Sequence, residues 1–329
     1  MEQRRFGNTD LVCSAIGIGT WELGTTQYGP VDIEEAIRAI NVALDHGVTL
    51  VDTAEVYGPF HSEEIVAQAL GTRRKDVVLV TKVGFDYNEL DAISGRNSHY
   101  DHVLHRTEGC LRRLETDWID LLLIHWPDHD TPYDEPVRAM ETLKQAGKIR
   151  YYGVSNFSPA MMDAAGKGGD LATNQIGYNL IDRRVEATVL PYCRAHDIGF
   201  MAYGTLCYGI LTGSLSPDTT FVDWDWRAKG SAFGLPLFQQ EQLGKELRAV
   251  ARLQSLAARY DKCVAQLAIA WVLSQSDVTV TLVGMRTPDE AQENLASPDW
   301  RLGAGVMTEI DAILAEEGVP TYVGHRIAM

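Results

Sequence analysis

Short apolar runs rich in Val, Ile and Leu alternate along the chain with longer segments in which apolar residues recur at helical spacing. The alternation repeats at intervals of about thirty residues, which is typical of successive βα units around a parallel sheet. Eight strands are predicted, at residues 13–21, 50–56, 77–83, 120–126, 149–156, 172–179, 198–204 and 280–285. Helices are predicted at 32–46, 62–70, 100–114, 134–146, 158–166, 185–196 and 287–296, with a longer helical stretch at 241–275.

Eight such units predict an α/β fold of the (β/α)8 TIM barrel type rather than an open sheet. The GxGxxG pattern of an open dinucleotide-binding sheet does not follow the first strand. Because such barrels reach about 250 residues and more with insertions, one barrel domain over residues 1–329 is expected. The longest connection, 205–240, follows the seventh strand, and its aromatic residues favour an ordered lid over disorder. We call it the lid segment.

Composition excludes some classes of partner. The formal net charge of −16 argues against binding to nucleic acid or to an anionic membrane. Five scattered cysteines without a CxxC pair suit a reduced cytoplasm. No apolar region follows the charged N-terminus, and no run approaches the roughly 18 apolar residues of a membrane span. We therefore expect a cytoplasmic protein that acts on a small molecule, with its oligomeric state left open.

Four ionisable residues at the ends of successive strands could together protonate a carbonyl oxygen. They are Asp52 and Tyr57 in VDTAEVYG, Lys82 in VTKVG and His125 in LLIHWPD. A free phenol, with a pKa of about 10, is a poor proton donor at neutral pH. A lysine ammonium beside the phenol is expected to lower its pKa, and an aspartate is expected to keep that ammonium charged. The histidine would be a second donor that orients the substrate oxygen.

These motifs resemble those of the aldo-keto reductase family, whose Asp, Tyr, Lys and His tetrad fits the four residues in order and context. The resemblance runs from the early FGNT stretch to the pair at 293–294. It implies a nicotinamide dinucleotide extended across the barrel mouth. Ser155, Asn156 and Gln175 would then hold the carboxamide, and Tyr203 would stack on the ring. Other cofactor positions implied by the resemblance are Gly19, Thr20, Trp21, Gly204, Thr205, Leu206, Gly209, Leu211, Gly213 and Gly284.

The segment VGMRTPDEAQEN would meet the adenosine end of that cofactor. By resemblance, Arg286 faces the ribose or its 2′-phosphate, while Glu293 and Asn294 contact adenine. Relatives that use NADP(H) often have a neutral or basic residue in place of Glu290 and a lysine in place of Ser214. A carboxylate weakens the binding of a 2′-phosphate but can accept hydrogen bonds from a free 2′-hydroxyl. The family favours NADP(H), and these two residues make NAD(H) an alternative cofactor.

The substrate pocket is expected to be lined by Trp21, Tyr28, Trp126, Trp224 and Trp226. Flat apolar walls suit aryl groups or the C–H faces of a sugar ring. The chain looks most like bacterial reductases associated with inositol and sugar metabolism, which suggests a role in carbohydrate metabolism. An alternative for the two lid tryptophans is that they only fasten the lid segment to the barrel.

The segment SHYDHVLH suggests a metal site, because it contains His99, His102 and His105. Residues six apart diverge around a helix, so these three cannot converge on one ion. No metal is expected.

The sequence thus predicts an NAD(P)(H)-dependent oxidoreductase that interconverts a carbonyl and its alcohol by direct hydride transfer, with Tyr57 as general acid and base. One alternative is a nucleotide-sensing regulatory subunit with little or no turnover. Another is an isomerase or aldolase that uses Lys82 as a Schiff base, which is disfavoured because Asp52 should hold that lysine protonated.

Overall fold

Eight parallel strands close into a barrel in the computed structural model, which describes residues 1–24, 28–90, 92–166, 170–297 and 299–325. The strands of this part of the chain are β1 (Gln3–Arg5), β2 (Val12–Ser14), β3 (Ile16–Gly19), β4 (Leu50–Asp52), β5 (Val78–Val83), β6 (Phe85–Tyr87), β7 (Ile93–Arg96), β8 (Ile119–Ile124), β9 (Ile149–Ser155), β10 (Thr173–Gly177), β11 (Gly199–Tyr203) and β12 (Val280–Gly284). The barrel follows the order β3-β4-β5-β8-β9-β10-β11-β12, and β12 pairs with β3 to close it. The predicted (β/α)8 fold is confirmed.

Helices pack around the barrel between successive strands. They are α1 (Ile33–Asp45), α2 (His61–Leu70), α3 (Tyr100–Arg113), α4 (Asp134–Gln145), α5 (Pro159–Gly166), α6 (Val189–Ala195), α7 (Gln240–Ala258), α8 (Val264–Leu273), α9 (Pro288–Asn294) and α10 (Ala304–Glu316). Within the described ranges, no helix combines the length and the apolar character that crossing a membrane requires.

The longer helical stretch predicted over 241–275 consists of two helices. The chain leaves the helical conformation after α7, where Asp261 adopts a left-handed φ of 56°. Cys263 then begins α8, with Gln266 Oε1 accepting a hydrogen bond from the Cys263 backbone N–H at 3.1 Å. Apolar periodicity continues through this break, so the hydrophobic pattern gave no sign of it. Helix α10 was not predicted either.

An N-terminal hairpin closes the bottom of the barrel. Strands β1 and β2 pair in antiparallel fashion, and the turn between them buries Phe6 and Leu11 completely or almost so. These side chains join Cys13 against the barrel interior, whose apolar residues include Leu50, Val78, Val80, Leu121, Leu123, Met201, Val280 and Leu282. The prediction of a single strand over 13–21 was therefore wrong. Ser14 ends the hairpin and its hydroxyl donates to the Ile16 carbonyl at 2.6 Å, which marks the bend before the barrel strand.

Two irregular segments stand at the opposite end of the barrel. Strands β6 and β7 form a hairpin directly after β5, from which they are separated by Gly84 with a φ of 116°. The lid segment contains 3-10 turns at Cys207–Thr212 and Trp226–Lys229 and a tight turn between Ala232 and Leu235. It is therefore ordered, as its aromatic content predicted.

Removing the Phe6 side chain should destabilise the whole fold, because it leaves a cavity under the barrel. We expect Phe6→Ala to lower the free energy of unfolding by about 3–5 kcal/mol. Urea denaturation followed by tryptophan fluorescence measures this change. Val12→Ala is the matched control, because Val12 lies on the same hairpin but is 50% exposed. If both variants lost the same free energy of unfolding, Phe6 would not contribute to stability by filling the bottom of the barrel.

Candidate active site

The carboxyl ends of the eight strands meet at the end of the barrel that faces the lid segment. Asp52 is the last residue of β4, and Lys82 lies one residue before the end of β5. His125 directly follows β8, and Asn156 directly follows β9. Because the strands are parallel and the barrel is closed, these side chains converge although they are far apart in sequence.

Tyr57 reaches the same point from the turn between β4 and α2. Its backbone N–H donates to the Ala54 carbonyl at 3.1 Å, and its own carbonyl accepts from the Ser62 N–H at 3.1 Å. Gly58 follows with a φ of 71°, and a Cβ there would lie 1.0 Å from the Gly24 carbonyl oxygen. Only glycine fits this approach, so the YG pair of the motif holds the phenol over the barrel.

The ammonium group of Lys82 joins the other members of the cluster. Nζ donates to Asp52 Oδ1 at 2.6 Å, to the Thr53 carbonyl at 2.9 Å and to the Tyr57 phenol oxygen at 3.2 Å. Lys82 is fully buried and Asp52 is 2% exposed. Burial lowers the pKa of Lys82 and raises that of Asp52, while their mutual attraction works in the opposite direction. With all three N–H groups donated, the charged amine is satisfied without water.

The pKa of Tyr57 differs from the expectation that lysine would lower it. Burial raises this pKa well above its usual value, and the Asp52 carboxylate raises it further. The Lys82 ammonium favours the phenolate, but the loss of hydration disfavours it and is the larger effect. The Tyr57 phenol therefore stays protonated at neutral pH, with Lys82 as its hydrogen-bond donor.

His125 stands edge-on to Tyr57, with the ring centroids 5.6 Å apart. Burial lowers the pKa of His125 well below its usual value, and the charges of Lys82 and Arg96 lower it further. The imidazole is therefore neutral and carries a single N–H donor. Nδ1 is buried and has no hydrogen-bond partner in the described part of the chain, so no contact there fixes the tautomer.

A hydrogen bond across the barrel adds Gln175 to this cluster. Its amide nitrogen donates to Asp52 Oδ2 at 2.7 Å. Strands β10 and β4, which carry these two residues, are four places apart in the ring of eight and so lie on opposite sides. The Ser155 hydroxyl donates to the Gln175 carbonyl at 2.8 Å, and the Asn156 amide donates to the Ser155 oxygen at 3.0 Å. Tyr203 donates to Asn156 Oδ1 at 2.9 Å, which fixes its ring.

A cavity of about 970 Å³ opens above these residues. Of the residues predicted to bind cofactor or substrate, it is lined by Gly19, Thr20, Trp21, Tyr28, Trp126, Ser155, Asn156, Gln175, Tyr203, Gly204, Thr205, Leu206, Gly209, Gly213, Gly284, Arg286, Glu290, Glu293 and Asn294, together with Asp52, Tyr57 and His125. Lys82 is not on its surface. The structure therefore brings together in one cavity most of the positions that the sequence singled out.

Three predicted contact residues do not line the cavity. Leu211, which belongs to the lid segment, is fully buried in the core. Trp224 is 55% exposed. Trp226 stacks on the far side of Trp21, with the ring centroids 5.5 Å apart. Trp226 therefore supports the wall without forming it, as the alternative of a lid fastener predicts, whereas the exposed Trp224 fits neither role.

Phe233 is a wall residue that the sequence did not identify. It lies at the tip of a two-residue turn, where Ala232 and Leu235 exchange backbone hydrogen bonds of 2.8 Å. Its φ of 47° is a left-handed conformation that side chains rarely adopt, and Arg184 donates to its carbonyl at 2.9 Å. The ring lies parallel to Trp126 at 6.0 Å between centroids. Other apolar wall residues not predicted are Val56, Pro59, Phe85 and Ile93. Val56, Pro59 and Phe85 lie within or next to the strand-end motifs, but nothing in those motifs shows that these side chains face the cavity.

The far end of the cavity is polar. Arg286 Nη2 donates to Glu290 Oε1 at 2.9 Å, and its backbone N–H donates to Glu290 Oε2 at 2.8 Å. Thr287 caps α9 by accepting from the Glu290 N–H at 3.2 Å. Asn294 donates to the Gly284 carbonyl at 3.3 Å, which ties α9 to the end of β12. The residue proposed to discriminate between nucleotides is thus already paired with an arginine.

In the ranges that the structure describes, no three His, Cys, Asp or Glu side chains group as they would to hold a metal ion. His99 lies beside Glu135 at 3.2 Å, and His102 Nε2 lies 3.0 Å from the Phe85 carbonyl oxygen. These histidines therefore have separate partners.

Comparison with known proteins gives a consistent picture. The model of the Aldo/keto reductase family matches residues 15–315. The chain is 38% identical over 317 residues to aldo-keto reductase YhdN of Bacillus subtilis (strain 168), covering 95% of this chain and 94% of that protein. It is 31% identical over 331 residues to the NADH-specific methylglyoxal reductase of Escherichia coli (strain K12), covering 96% and 98%. Among solved structures, the glycerol dehydrogenase AKR11B4 from Gluconobacter oxydans superposes with a TM-score of 0.87 at 38% identity, covering 96% and 95%.

Replacing Lys82 by Met should destabilise the protein, because it leaves the Asp52 carboxylate buried without its cation. We expect the free energy of unfolding at pH 7 to fall by about 3–5 kcal/mol. The unpaired carboxyl has a raised pKa in the folded state, so the loss should grow as the pH rises from 5 to 7. Urea denaturation at both pH values measures it. The double variant Lys82→Met with Asp52→Asn is the control and should recover part of the loss. No recovery would mean that the lysine contributes by packing alone.

Proposed function

The chain belongs to the aldo/keto reductase family and is an oxidoreductase of that type, and we propose that it transfers hydride directly between a nicotinamide cofactor and a carbonyl or alcohol substrate. The single observation that carries the proposal is the Lys82 ammonium, which contacts both Asp52 and Tyr57 under a cavity. This arrangement offers a protonated phenol O–H at the place where an alkoxide would develop, beside a cation that stabilises the phenolate left behind.

Tyr57 would act as the general acid in carbonyl reduction. A general acid must carry its proton, and the raised pKa of Tyr57 keeps the phenol protonated throughout the neutral range. As the proton leaves, the phenolate that forms lies 3.2 Å from the Lys82 ammonium, which stabilises it. In alcohol oxidation the same phenol must first lose its proton, so oxidation should speed up as the pH rises.

His125 would orient the substrate oxygen toward Tyr57. The neutral imidazole can donate one hydrogen bond without competing as an acid. The two donors are adjacent in the cavity wall, with the rings edge to face. A carbonyl oxygen held between them would present its carbon to the open part of the cavity.

The cavity supports a dinucleotide as the hydride carrier. One end is aromatic and adjoins Tyr57, while the other end carries Arg286 and Asn294. Gly209 and Gly213, with φ values of 104° and 78°, also line the cavity, and because they have no side chains their backbone N–H groups could approach a diphosphate. When bound, the nicotinamide ring supplies the hydride in reduction and accepts it in oxidation.

The residues around Tyr203 would fix the nicotinamide end. Tyr203 lines the cavity, and its hydroxyl bond to Asn156 holds the ring in place for stacking. The amide nitrogen of Gln175 is taken by Asp52, so its amide oxygen is the atom left to accept a hydrogen bond from a carboxamide. Ser155 then positions Gln175 through its carbonyl.

The choice between NAD(H) and NADP(H) would depend on Glu290. Its carboxylate holds Arg286, so a 2′-phosphate would meet a neutralised arginine and a nearby negative charge. A free 2′-hydroxyl could instead donate to the carboxylate. We therefore infer that NAD(H) competes well with NADP(H) in this protein.

The substrate would be an aldehyde, a ketone or a sugar with a flat apolar face. The wall beside His125 is formed by Phe85, Trp126 and Phe233. Such surfaces pack against C–H faces or aryl rings. The names of the relatives, a methylglyoxal reductase and a glycerol dehydrogenase, favour small oxygenated substrates of carbohydrate metabolism.

The burial of Lys82 argues against a Schiff-base mechanism. Its nitrogen donates three hydrogen bonds and is absent from the cavity surface, so a substrate carbonyl cannot reach it. The other alternative, a nucleotide-sensing subunit, requires negligible turnover, which the following measurement tests.

Tyr57→Phe should lower turnover by about 10²–10⁴ and change cofactor affinity only a few-fold, because the phenol acts on the transition state. Oxidation of NADH and NADPH at 340 nm with glyceraldehyde and methylglyoxal measures the rate, and fluorescence titration measures the affinity. Tyr87→Phe is the control, because it removes a buried phenol oxygen outside the cavity. Unchanged turnover in Tyr57→Phe would refute the proposed acid, and no turnover in the wild type would favour the regulatory alternative.

Glu290→Gln should strengthen NADPH binding relative to NADH by about tenfold, since two like charges about 6 Å apart near a protein surface repel by 1–2 kcal/mol after screening. The change also frees Arg286 for the phosphate. Parallel tryptophan fluorescence titrations at low and high salt measure the ratio, and high salt should shrink the effect. Asp289→Asn removes the same charge one residue earlier on the exposed side of α9 and should change little. An equal shift in both variants would mean that position 290 has no specific role.

A further inference from the structure

The Glu22 side chain lies in the cavity wall between its two ends and has no part in the chemistry described so far. Glu22 belongs to the 3-10 turn Trp21–Gly24, which follows β3. A Cβ atom on Gly284 would lie 1.5 Å from Glu22 Oε1. The carboxylate therefore fills the space of a missing side chain at the end of β12, and only glycine at 284 leaves room for it.

The surroundings leave the charge of this carboxylate uncompensated. Arg286 and Glu290 act on it from the segment after β12, but they are paired with each other at 2.9 Å. Tyr28 and Tyr57 act on it from the other side, and burial raises the pKa of both phenols, so they are neutral. Among the residues that the structure describes, Glu22 forms no ion pair, and its own backbone N–H is the hydrogen-bond donor to it.

The position of Glu22 matters because of where barrels hold phosphates. The loops after the seventh and eighth strands commonly form the phosphate site of (β/α)8 proteins. Here those loops start at Gly204 and Met285, and the Glu22 carboxylate lies against Gly284, the residue directly before the second loop. A dinucleotide that spans the cavity must pass its diphosphate across this wall.

We propose that Glu22 couples dinucleotide binding to the uptake of one proton, because the diphosphate is accepted only beside a neutral carboxyl group. The inference rests on the proposed function, since it requires a dinucleotide in the cavity. It names Glu22 as a residue that sets cofactor affinity through its protonation state.

The sign of the effect follows from the burial of the group. Burial raises the pKa of Glu22 to about 7, so the free protein holds a mixture of both forms near neutral pH. The negative charge of a diphosphate raises this pKa further in the complex. Binding is therefore tightest below pH 7. Between the free and bound pKa values, the dissociation constant should rise by up to about tenfold per pH unit.

The test measures dissociation constants of NADH and ADP-ribose from pH 5.5 to 9. Both ligands present the same 2′-hydroxyl to Glu290, so its contribution is common to them, and ADP-ribose lacks the nicotinamide that would adjoin Tyr57. The affinity of the wild type for both ligands should fall as the pH rises above about 7. The affinity of Glu22→Gln should stay nearly constant, at the value that the wild type reaches at low pH. Glu22→Ala provides the same readout if the amide perturbs the turn. Glu34→Gln removes a carboxylate on α1 outside the cavity and should behave as the wild type.

Calorimetry in two buffers of different ionisation enthalpy counts the protons directly. The wild type at pH 8 should take up close to one proton per ligand bound, and Glu22→Gln should take up none. The inference would be overturned if the dissociation constant of the wild type did not change with pH, or if that of Glu22→Gln still changed with pH. It would also be overturned if Glu22→Gln bound more weakly than the wild type at every pH. In those cases NADH still binds and turns over, so the proposed function stands. Failure of both NADH and NADPH to bind the wild type and every variant, even at pH 5.5, would refute both.

Discussion

The structure depends on one buried cation. Lys82 brings a full positive charge into the upper barrel, where its desolvation is tolerated only because Asp52, Thr53 and Tyr57 accept all three of its hydrogen bonds. These partners come from β4 and the turn after it, so the neighbouring strands must be in register before the charge is satisfied. The closed parallel barrel supplies this register, and the positions of the acid and the cavity follow from it.

A layer of hydrogen bonds separates this cation from the apolar interior. Gln175 reaches across the barrel to Asp52, and Ser155, Asn156 and Tyr203 continue the network around the rim. Below it, the barrel contains apolar side chains down to the N-terminal hairpin. Polar groups are therefore gathered in one layer, where each can satisfy another. Such a network holds side chains in place better than isolated contacts would.

Sequence reasoning found the eight barrel strands because buried parallel strands give apolar runs at regular intervals. It found the tetrad because its residues lie within recognisable strand-end motifs. It missed the boundary at Ser14, where a hairpin strand and a barrel strand are both buried, and the break near Asp261, where apolar spacing continues. Phe233, Glu22 and the raised pKa of Tyr57 depend on contacts between distant segments and on loss of water. No local pattern records these, so they required the folded chain.

The pairing that closes the barrel also constrains how the chain can fold. Strand β3 pairs with β12, which joins residues 16–19 to residues 281–284. During synthesis β3 can therefore pair with β12 only after residues 281–284 have left the ribosome. Until then the growing sheet has two open edges, each a row of unpaired backbone groups that can pair with another chain. Contacts so distant in sequence also form slowly. The same closure that positions the site thus leaves the nascent chain open to self-association until the last strand has paired.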